Sequence, residues 1–228
     1  MKPKILAIIP ARGGSKRIKR KNIKPFLGQE IIAYPIKALL ESGVVDRLVV
    51  STDDVEIACA AKKFGADVPF MRSAKNADDF ATTFDVVEEI VTQLEEQYDY
   101  VYCVYPTSVF VTSDLIKDAL NTLNINPSAT SIVTCVAYSN PIQRSLSYKD
   151  GYLQSNHPEF YNTRSQDLPK NYSDAGQLYL FKPDVVLKSK RLVTDKCLPL
   201  ELDESQTQDI DSEVDWALAE LKYGYMVN

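Results

Sequence analysis

Residues 8–22 read Ile-Ile-Pro-Ala-Arg-Gly-Gly-Ser-Lys-Arg-Ile-Lys-Arg-Lys-Asn, and they continue an apolar run that begins at Ile5. The unbroken stretch Ile5–Ile9 reads as a buried parallel strand. That strand empties into Gly13-Gly14 and a crowd of cations. Glycines let backbone come close to a ligand, and free N–H groups with Arg and Lys can cradle a polyphosphate. Residues 1–24 hold nine Lys/Arg and no acid; the whole chain carries −5, so the remainder carries −14. A locally basic loop on an acidic protein draws in an anion that the molecule as a whole repels.

Outward from the loop, strands and helices alternate. Helical patterns near Ile31–Glu41, Val55–Phe64, Phe84–Gln97 and Asp114–Leu123 separate apolar runs at Arg47–Ser51, Asp67–Met71, Tyr100–Tyr105 and Ser131–Ala137. This rhythm predicts an α/β fold with a doubly wound, mostly parallel sheet. Asp53 with Glu56, Thr112 before Asp114, and Ser212 with Asp215 mark helix starts. After Ala137 the rhythm stops. Residues 138–182 are rich in Tyr, Ser, Asn, Gln and Pro, with β-like pieces at Leu146–Tyr148 and Gln177–Phe181. Too little is apolar there for a second core, so 1–228 reads as a single domain. The segment 138–182 reads as a β-rich insert suited to an oligomer contact. Asp211–Tyr223 closes the chain as an amphipathic helix, with Trp216, Leu218 and Leu221 available for packing.

With 228 residues, 45% hydrophobic and 25% charged, the composition is that of an ordinary globular domain. No apolar run approaches the roughly 18–20 residues that span a bilayer. Cys59, Cys103, Cys135 and Cys197 are scattered and never form C-x-x-C, which favours reduced thiols over a metal or disulfide framework. A cytoplasmic protein with no membrane partner is expected. The lone His157 has no cluster around it and reads as a surface residue.

Ligands of such sheets bind beyond the carboxyl ends of the strands, which gathers loops 10–24, 51–54, 71–83 and 105–112 around one crevice. The Gly-Gly-Ser-Lys loop is neither a P-loop nor G-x-G-x-x-G. On charge alone a solvated loop or a nucleic-acid contact is open. The position at a strand's carboxyl end, the acidic balance and the lack of interleaved aromatics argue against nucleic acid. Asp209 and Asp211, spaced i, i+2 on an extended segment, would project to one side and could share a hard cation. The other reading of Asp211 is a helix N-cap. Asp53-Asp54 is explained by capping and the helix dipole.

Residues 8–16 with Lys21-Asn22 resemble the opening signature of the cytidylyltransferases that activate keto-deoxy sugar acids, the acylneuraminate cytidylyltransferase family. Val50-Ser51-Thr52-Asp53-Asp54, Phe70-Met71-Arg72-Ser73, Pro106-Thr107-Ser108 and Gln208-Asp209-Ile210-Asp211 follow in the family's order. Segments 141–144, 162–168 and 174–177 are most similar to members that use pseudaminic acid. The resemblance implies transfer of CMP from CTP to a nonulosonic acid, with pyrophosphate released. The related sugars N-acetylneuraminate, legionaminate and 3-deoxy-manno-octulosonate are the alternatives.

By the same resemblance, Ala11, Arg12, Gly14, Ser15 and Lys16 bind the nucleotide, while Asn22, Arg72 and Thr82 meet its base and nucleoside. Lys21, Arg12 and Asp211 are catalytic, and Asp209 and Asp211 hold Mg2+. Tyr105, Gln143, Arg144, Arg164, Gln166 and Gln177 form the sugar side. Tyr105, Gln143 and Ser173 replace the Gln, Lys and Arg of sialic acid-activating members. These departures concern the sugar and leave CTP use intact. The resemblance also implies a homodimer built through the insert, and a product used for surface or flagellin glycosylation.

Overall fold

The computed structural model describes residues 2–227. Strand β1 (Ile5–Pro10) is followed by the basic loop, a short ribbon of β2 (Pro25–Phe26) and β3 (Gln29–Glu30), and helix α1 (Ala33–Glu41). Next come β4 (Arg47–Ser51), α2 (Val55–Lys63), α3 (Ala74–Ala77), α4 (Thr83–Gln93), β5 (Tyr100–Val104) and α5 (Ser113–Asn124). The second half holds β6 (Ser131–Ala137), a hairpin of β7 (Leu146–Lys149) and β8 (Tyr152–Ser155), and β9 (Tyr172–Phe181). It ends with α6 (Pro183–Ser189), β10 (Cys197–Glu201) and α7 (Glu213–Val227).

Six strands form one sheet in the order β10-β6-β9-β5-β1-β4, five of them running one way and β9 the other. The chain moves from β1 to β4 on one side and then places β5 on the other. The crevice between β1 and β5 is therefore the topological switch point where such sheets bind ligands. Residues alternate along β1: Ile5, Ala7 and Ile9 pack with α1, α2 and α5, while Leu6 and Ile8 pack with α4 and α6. Burial on both faces is why Ile5–Ile9 is apolar without interruption.

The helix starts are local. Thr112 Oγ1 accepts from the Leu115 N–H, and Thr82 with Asp85 forms a reciprocal capping box on α4. The cap of α2 is Asp54, whose carboxylate accepts from the Glu56 and Ile57 N–H groups; the expected Asp53 lies one residue too early. The strand expected at Asp67–Met71 is reduced to a parallel bridge of Asp67 with Val49. Pro69 has no N–H to extend that ladder.

The segment 138–182 divides. Its Tyr172–Phe181 stretch is β9, a central strand, so the excursion proper ends at Asn171. Helix α7 buries Trp216 and Ala219, with Tyr223 partly buried on the same side. Leu218 (43% exposed) and Leu221 (71% exposed) fall on the opposite side, so only Trp216 of the three expected contacts packs.

Candidate active site

A cleft of ≈ 340 Å³ opens at the switch point. Its walls are the basic loop after β1, the turn Tyr105–Ser108 after β5, residues Asp174–Gln177 of β9, and Gln208 and Asp209 of the strap before α7. Because β9 runs against its neighbours, its first half lies at their carboxyl ends. There it bulges: Val133 pairs with Tyr179 but Cys135 pairs with Asp174, so four residues of β9 face Thr134 alone. The Thr134 hydroxyl fills the gap, accepting from the Leu178 N–H, and Gly176 takes a φ of 60° that suits glycine. The bulge turns Ala175–Gln177 toward the cleft, a common use of such irregularities.

Of the expected residues, Arg12, Ser15, Lys16, Lys21, Asn22, Tyr105, Gln177 and Asp209 line this cleft. Ala11 is fully buried beneath it, with its N–H bonded to the Ser51 carbonyl, and Gly14 is exposed on the loop. The Asn22 side chain donates to the Arg12 carbonyl at 2.8 Å and closes the loop on itself. Lys21 Nζ donates to the Ile210 carbonyl at 2.6 Å and lies 3.5 Å from Asp211 Oδ1. Arg17 pairs with Asp211 Oδ2 at 2.6 Å. The two ends of the chain thus meet charge to charge across the mouth.

Ile210, 1% exposed, packs with Ile18, Phe26, Val109, Phe110 and Trp216. Asp209 is exposed and Asp211 half-buried on either side of it. On an extended segment this alternation turns both carboxylates away from the core. The cap of α7 is the reciprocal Ser212–Asp215 pair, so the Asp211 carboxylate is not consumed there. Among the described residues no three His, Cys, Asp or Glu side chains form a ready-made metal cage. Two hard carboxylates beside a basic loop nevertheless fit Mg2+, which takes one or two carboxylates and fills its remaining positions with water and substrate phosphate.

The other expected residues lie outside the cleft. Arg72 is 7% exposed; its guanidinium donates to Ser51 Oγ (2.9 Å) and to the Ser51 carbonyl (2.5 Å). Burial pulls its pKa down, opposed by the nearby Asp53 and Glu89. Thr82 is spent on capping α4. Gln143 is buried in the insert and donates to the Pro169 carbonyl. Arg144 donates to the Tyr161 and Thr163 carbonyls and so braces the excursion. Arg164 and Gln166 are exposed around the turn Ser165–Asp167.

Three residues were missed. Ser108 Oγ and the Tyr105 N–H both donate to the Gln177 carbonyl, fixing the bulge. The Gln177 amide donates to the Gln206 carbonyl at 3.0 Å, and its Oε1 is buried without a partner. Asp174 accepts from Tyr179 Oη at 2.8 Å, and the Tyr105 ring stands edge-on to Tyr179. The sequence cue for this corner was a glycine, Gly176, directly before the strand-like run Gln177–Phe181. Asp79, the third, had no cue. It binds Arg12 at 2.9 Å and Lys16 at 2.5 Å, and these partners, Lys16 above all, hold its carboxyl below the usual range.

Asp79 therefore sits where a phosphate oxygen would compete. Asp79→Asn is expected to tighten pyrophosphate binding about fivefold at low ionic strength, the scale of two exposed ion pairs. The gain should fade toward 1 M salt. Calorimetric titration at two salt concentrations checks this, and equal affinities at low salt would rule the competition out.

Comparison with known proteins bears on the family and the fold. A family model described as cytidylyltransferase matches residues 6–213. The pseudaminic acid cytidylyltransferase of Campylobacter jejuni is 37% identical, with 96% of each chain covered. The CMP-N,N'-diacetyllegionaminic acid synthase of Legionella pneumophila is 31% identical over 95% of each chain. Among solved structures, a CMP:2-keto-3-deoxy-manno-octonic acid synthetase complexed with CTP superposes with a TM-score of 0.69 over 98% of each chain. At 17% identity that likeness speaks for the fold alone.

Proposed function

The chain belongs to the cytidylyltransferase family, and from that premise we propose that it transfers CMP from CTP to the anomeric hydroxyl of a nonulosonic acid, pseudaminic acid first among them. The observation that carries the reading is the pairing of the basic loop with the Asp209–Asp211 strap across one cleft. The 37% identity to a pseudaminic acid cytidylyltransferase supports the choice of sugar.

In the reaction the anomeric oxygen attacks the α-phosphorus, the bond to the β-phosphate bridging oxygen breaks, and pyrophosphate leaves. Such phosphoryl chemistry needs positioning and charge neutralisation more than covalent help. Arg12 and Lys16 hold the β- and γ-phosphates, with the Ser15 hydroxyl and the Gly14 backbone as further donors. Lys21, steadied by the Ile210 carbonyl, faces the α-phosphate and offsets charge as the leaving group departs. Asn22 shapes the loop near the base. Tyr105 and Gln177 line the side of the cleft away from the basic loop and meet the sugar. Asp209 and Asp211 would hold Mg2+, which polarises a bound phosphate and balances its charge.

A homodimer belongs to the same reading. The β7–β8 hairpin turns Leu146, Tyr148 and Leu153 to one exposed face, an apolar patch suited to a second copy. A cytoplasmic location is part of the same proposal, and four free cysteines suit a compartment where thiols stay reduced.

The test is a panel of pseudaminate, legionaminate, N-acetylneuraminate and 3-deoxy-manno-octulosonate with CTP and Mg2+, scored by pyrophosphate release. Pseudaminate is expected to lead by at least about 100-fold in kcat/KM, the scale on which a polar site separates sugars that miss its hydrogen bonds. Turnover of another sugar in its place would overturn the substrate, and silence with all four would overturn the reaction.

A further inference from the structure

The two ends of the basic loop are tied to neighbouring carboxylates of one turn, the entry to Asp53 and the exit to Asp54 and Glu56. At its entry, the Gly13 N–H donates to Asp53 Oδ1 at 2.8 Å. The same glycine lies so close to the next residue that a Cβ would stand 2.8 Å from Asp54 Oδ2 and 2.9 Å from Asp54 Cβ. At the exit, Arg20 donates to Asp54 Oδ2 at 2.7 Å and to Glu56 Oε2 at 2.6 Å. Arg20 also takes the left-handed conformation, φ 58° and ψ 30°, immediately before Lys21. A non-glycine residue adopts that conformation where surrounding contacts hold it there. Just outside the two anchors, Asn22 ties the exit back to the Arg12 carbonyl.

These contacts exceed what helix α2 requires. Asp54 Oδ1 already caps the helix through the Glu56 and Ile57 N–H groups, while its Oδ2 serves Arg20. Asp53 contributes no cap, yet its carboxylate points at the loop. Burial alone would raise the Asp54 carboxyl, but the Ile57 N–H and Arg20 outweigh it and hold it low. It therefore stays an anion against Arg20 at neutral pH. Of the loop's cations, Arg20 is the one given to this frame. Arg12 and Lys16 meet the exposed Asp79, and Arg17 and Lys21 face Asp211 at the cleft.

We propose that Asp53, Asp54 and Arg20 are positioning residues for the reaction: Asp53 sets the entry of the triphosphate loop and the Asp54–Arg20 pair sets its exit, so that Arg12, Lys16 and Lys21 converge on one polyphosphate. The proposal rests on the CTP reading given above. It assigns a task to the Ser-Thr-Asp-Asp turn after β4 that helix capping does not exhaust. It also explains why Gly13, whose φ is not in the left-handed region, is a glycine: the space is taken by Asp54.

Asp53→Ala and Arg20→Met are the informative variants, because both leave the Asp54 cap in place. Each is expected to weaken CTP binding about tenfold, and to raise KM for CTP equally, the scale of one lost charge-assisted contact. KM for the sugar acid and the thermal midpoint should stay near the wild-type values. Arg20→Met should in addition lower kcat, since Lys21 follows it directly. Asp53→Asn, which keeps the acceptor for the Gly13 N–H, should recover CTP affinity to within about threefold of wild type. Should Asp53→Ala fail to fold, Arg20→Met, changed at a half-exposed side chain, carries the test alone. Wild-type affinity for CTP in both alanine and methionine variants would overturn the proposal. So would an equal rise in both KM values with a lowered midpoint, the mark of a merely structural role. Absence of CTP binding by the wild type would instead overturn the reading of the site on which the proposal stands.

Discussion

Asp211→Ala is expected to keep CTP bound and to lose at least about 10³-fold in kcat, the scale of removing a charge-stabilising group in phosphoryl transfer. The two effects separate because binding and turnover draw on different walls of the cleft. In the proposed reading, affinity for the triphosphate comes from Arg12 and Lys16, whose described contacts run to Asp78 and Asp79, not to Asp211. Removing the Asp211 carboxylate frees Arg17 and Lys21, so the mouth of the cleft becomes more positive and attracts an anion no less. What is lost is one of two hard oxygen donors suited to Mg2+ and the counter-charge that orients Lys21. The backbone there stays put, because the Asp211 N–H and the Ser212 cap are held by Asp215. Isothermal titration with CTP and a pyrophosphate-release assay on the same preparation check both halves. Undiminished turnover would remove Asp211 from catalysis, and lost CTP binding would move it into the nucleotide site.

Much of this arrangement was legible because it is local. Ile5–Ile9 announced a strand buried on both faces, and Pro10, Gly13 and Gly14 announced its end. Thr112 and the Ser212–Asp215 pair declared helix starts by their spacing alone. What escaped was pairing between distant segments. Nothing within residues 172–181 says that the strand enters the sheet antiparallel between β5 and β6, nor that three extra residues bulge out at Ala175–Leu178. Asp67–Met71 had the apolar character of a strand, and a single Pro69 kept it from the ladder. Asp53 and Asp54 could be divided between cap and loop only once Gly13 was seen against them. Asp79 meets Arg12 across 67 positions of sequence, and a loop aspartate between Asp78 and Phe80 carries no mark of that meeting. Of the nucleotide-side residues that resemblance named, Arg12, Ser15, Lys16 and Asn22 line the cleft, while Arg72 and Thr82 do not. On the sugar side its assignments spread over the exposed excursion, where Arg144 is engaged in bracing the insert itself.

Ile210→Ala is expected to cost about 3 kcal/mol of stability, within the range for truncating a buried Ile to Ala, and to lower kcat by one to two orders of magnitude. Its side chain is wedged among Ile18, Phe26, Phe110 and Trp216, and the Phe26 ring packs edge-on against Tyr34, Trp216 and Tyr223. This small cluster is separate from the two layers of core that flank the sheet. It joins Ile18 of the basic loop to Ile210 of the acidic strap, so one apolar contact sets the distance between the cations and the carboxylates. Positioning of this kind governs phosphoryl transfer, where a displacement of about 1 Å costs on the order of 100-fold. Ile210→Val, which removes one methylene, should cost only about 1 kcal/mol and leave kcat within severalfold. Urea unfolding and kcat measured well below the unfolding midpoint separate the two effects. If Ile210→Ala is destabilised while its kcat remains that of the wild type, the cluster holds the fold and not the clamp. If both fall together, with CTP binding preserved, the hydrophobic seam is what makes a basic loop and an acidic strap into one site.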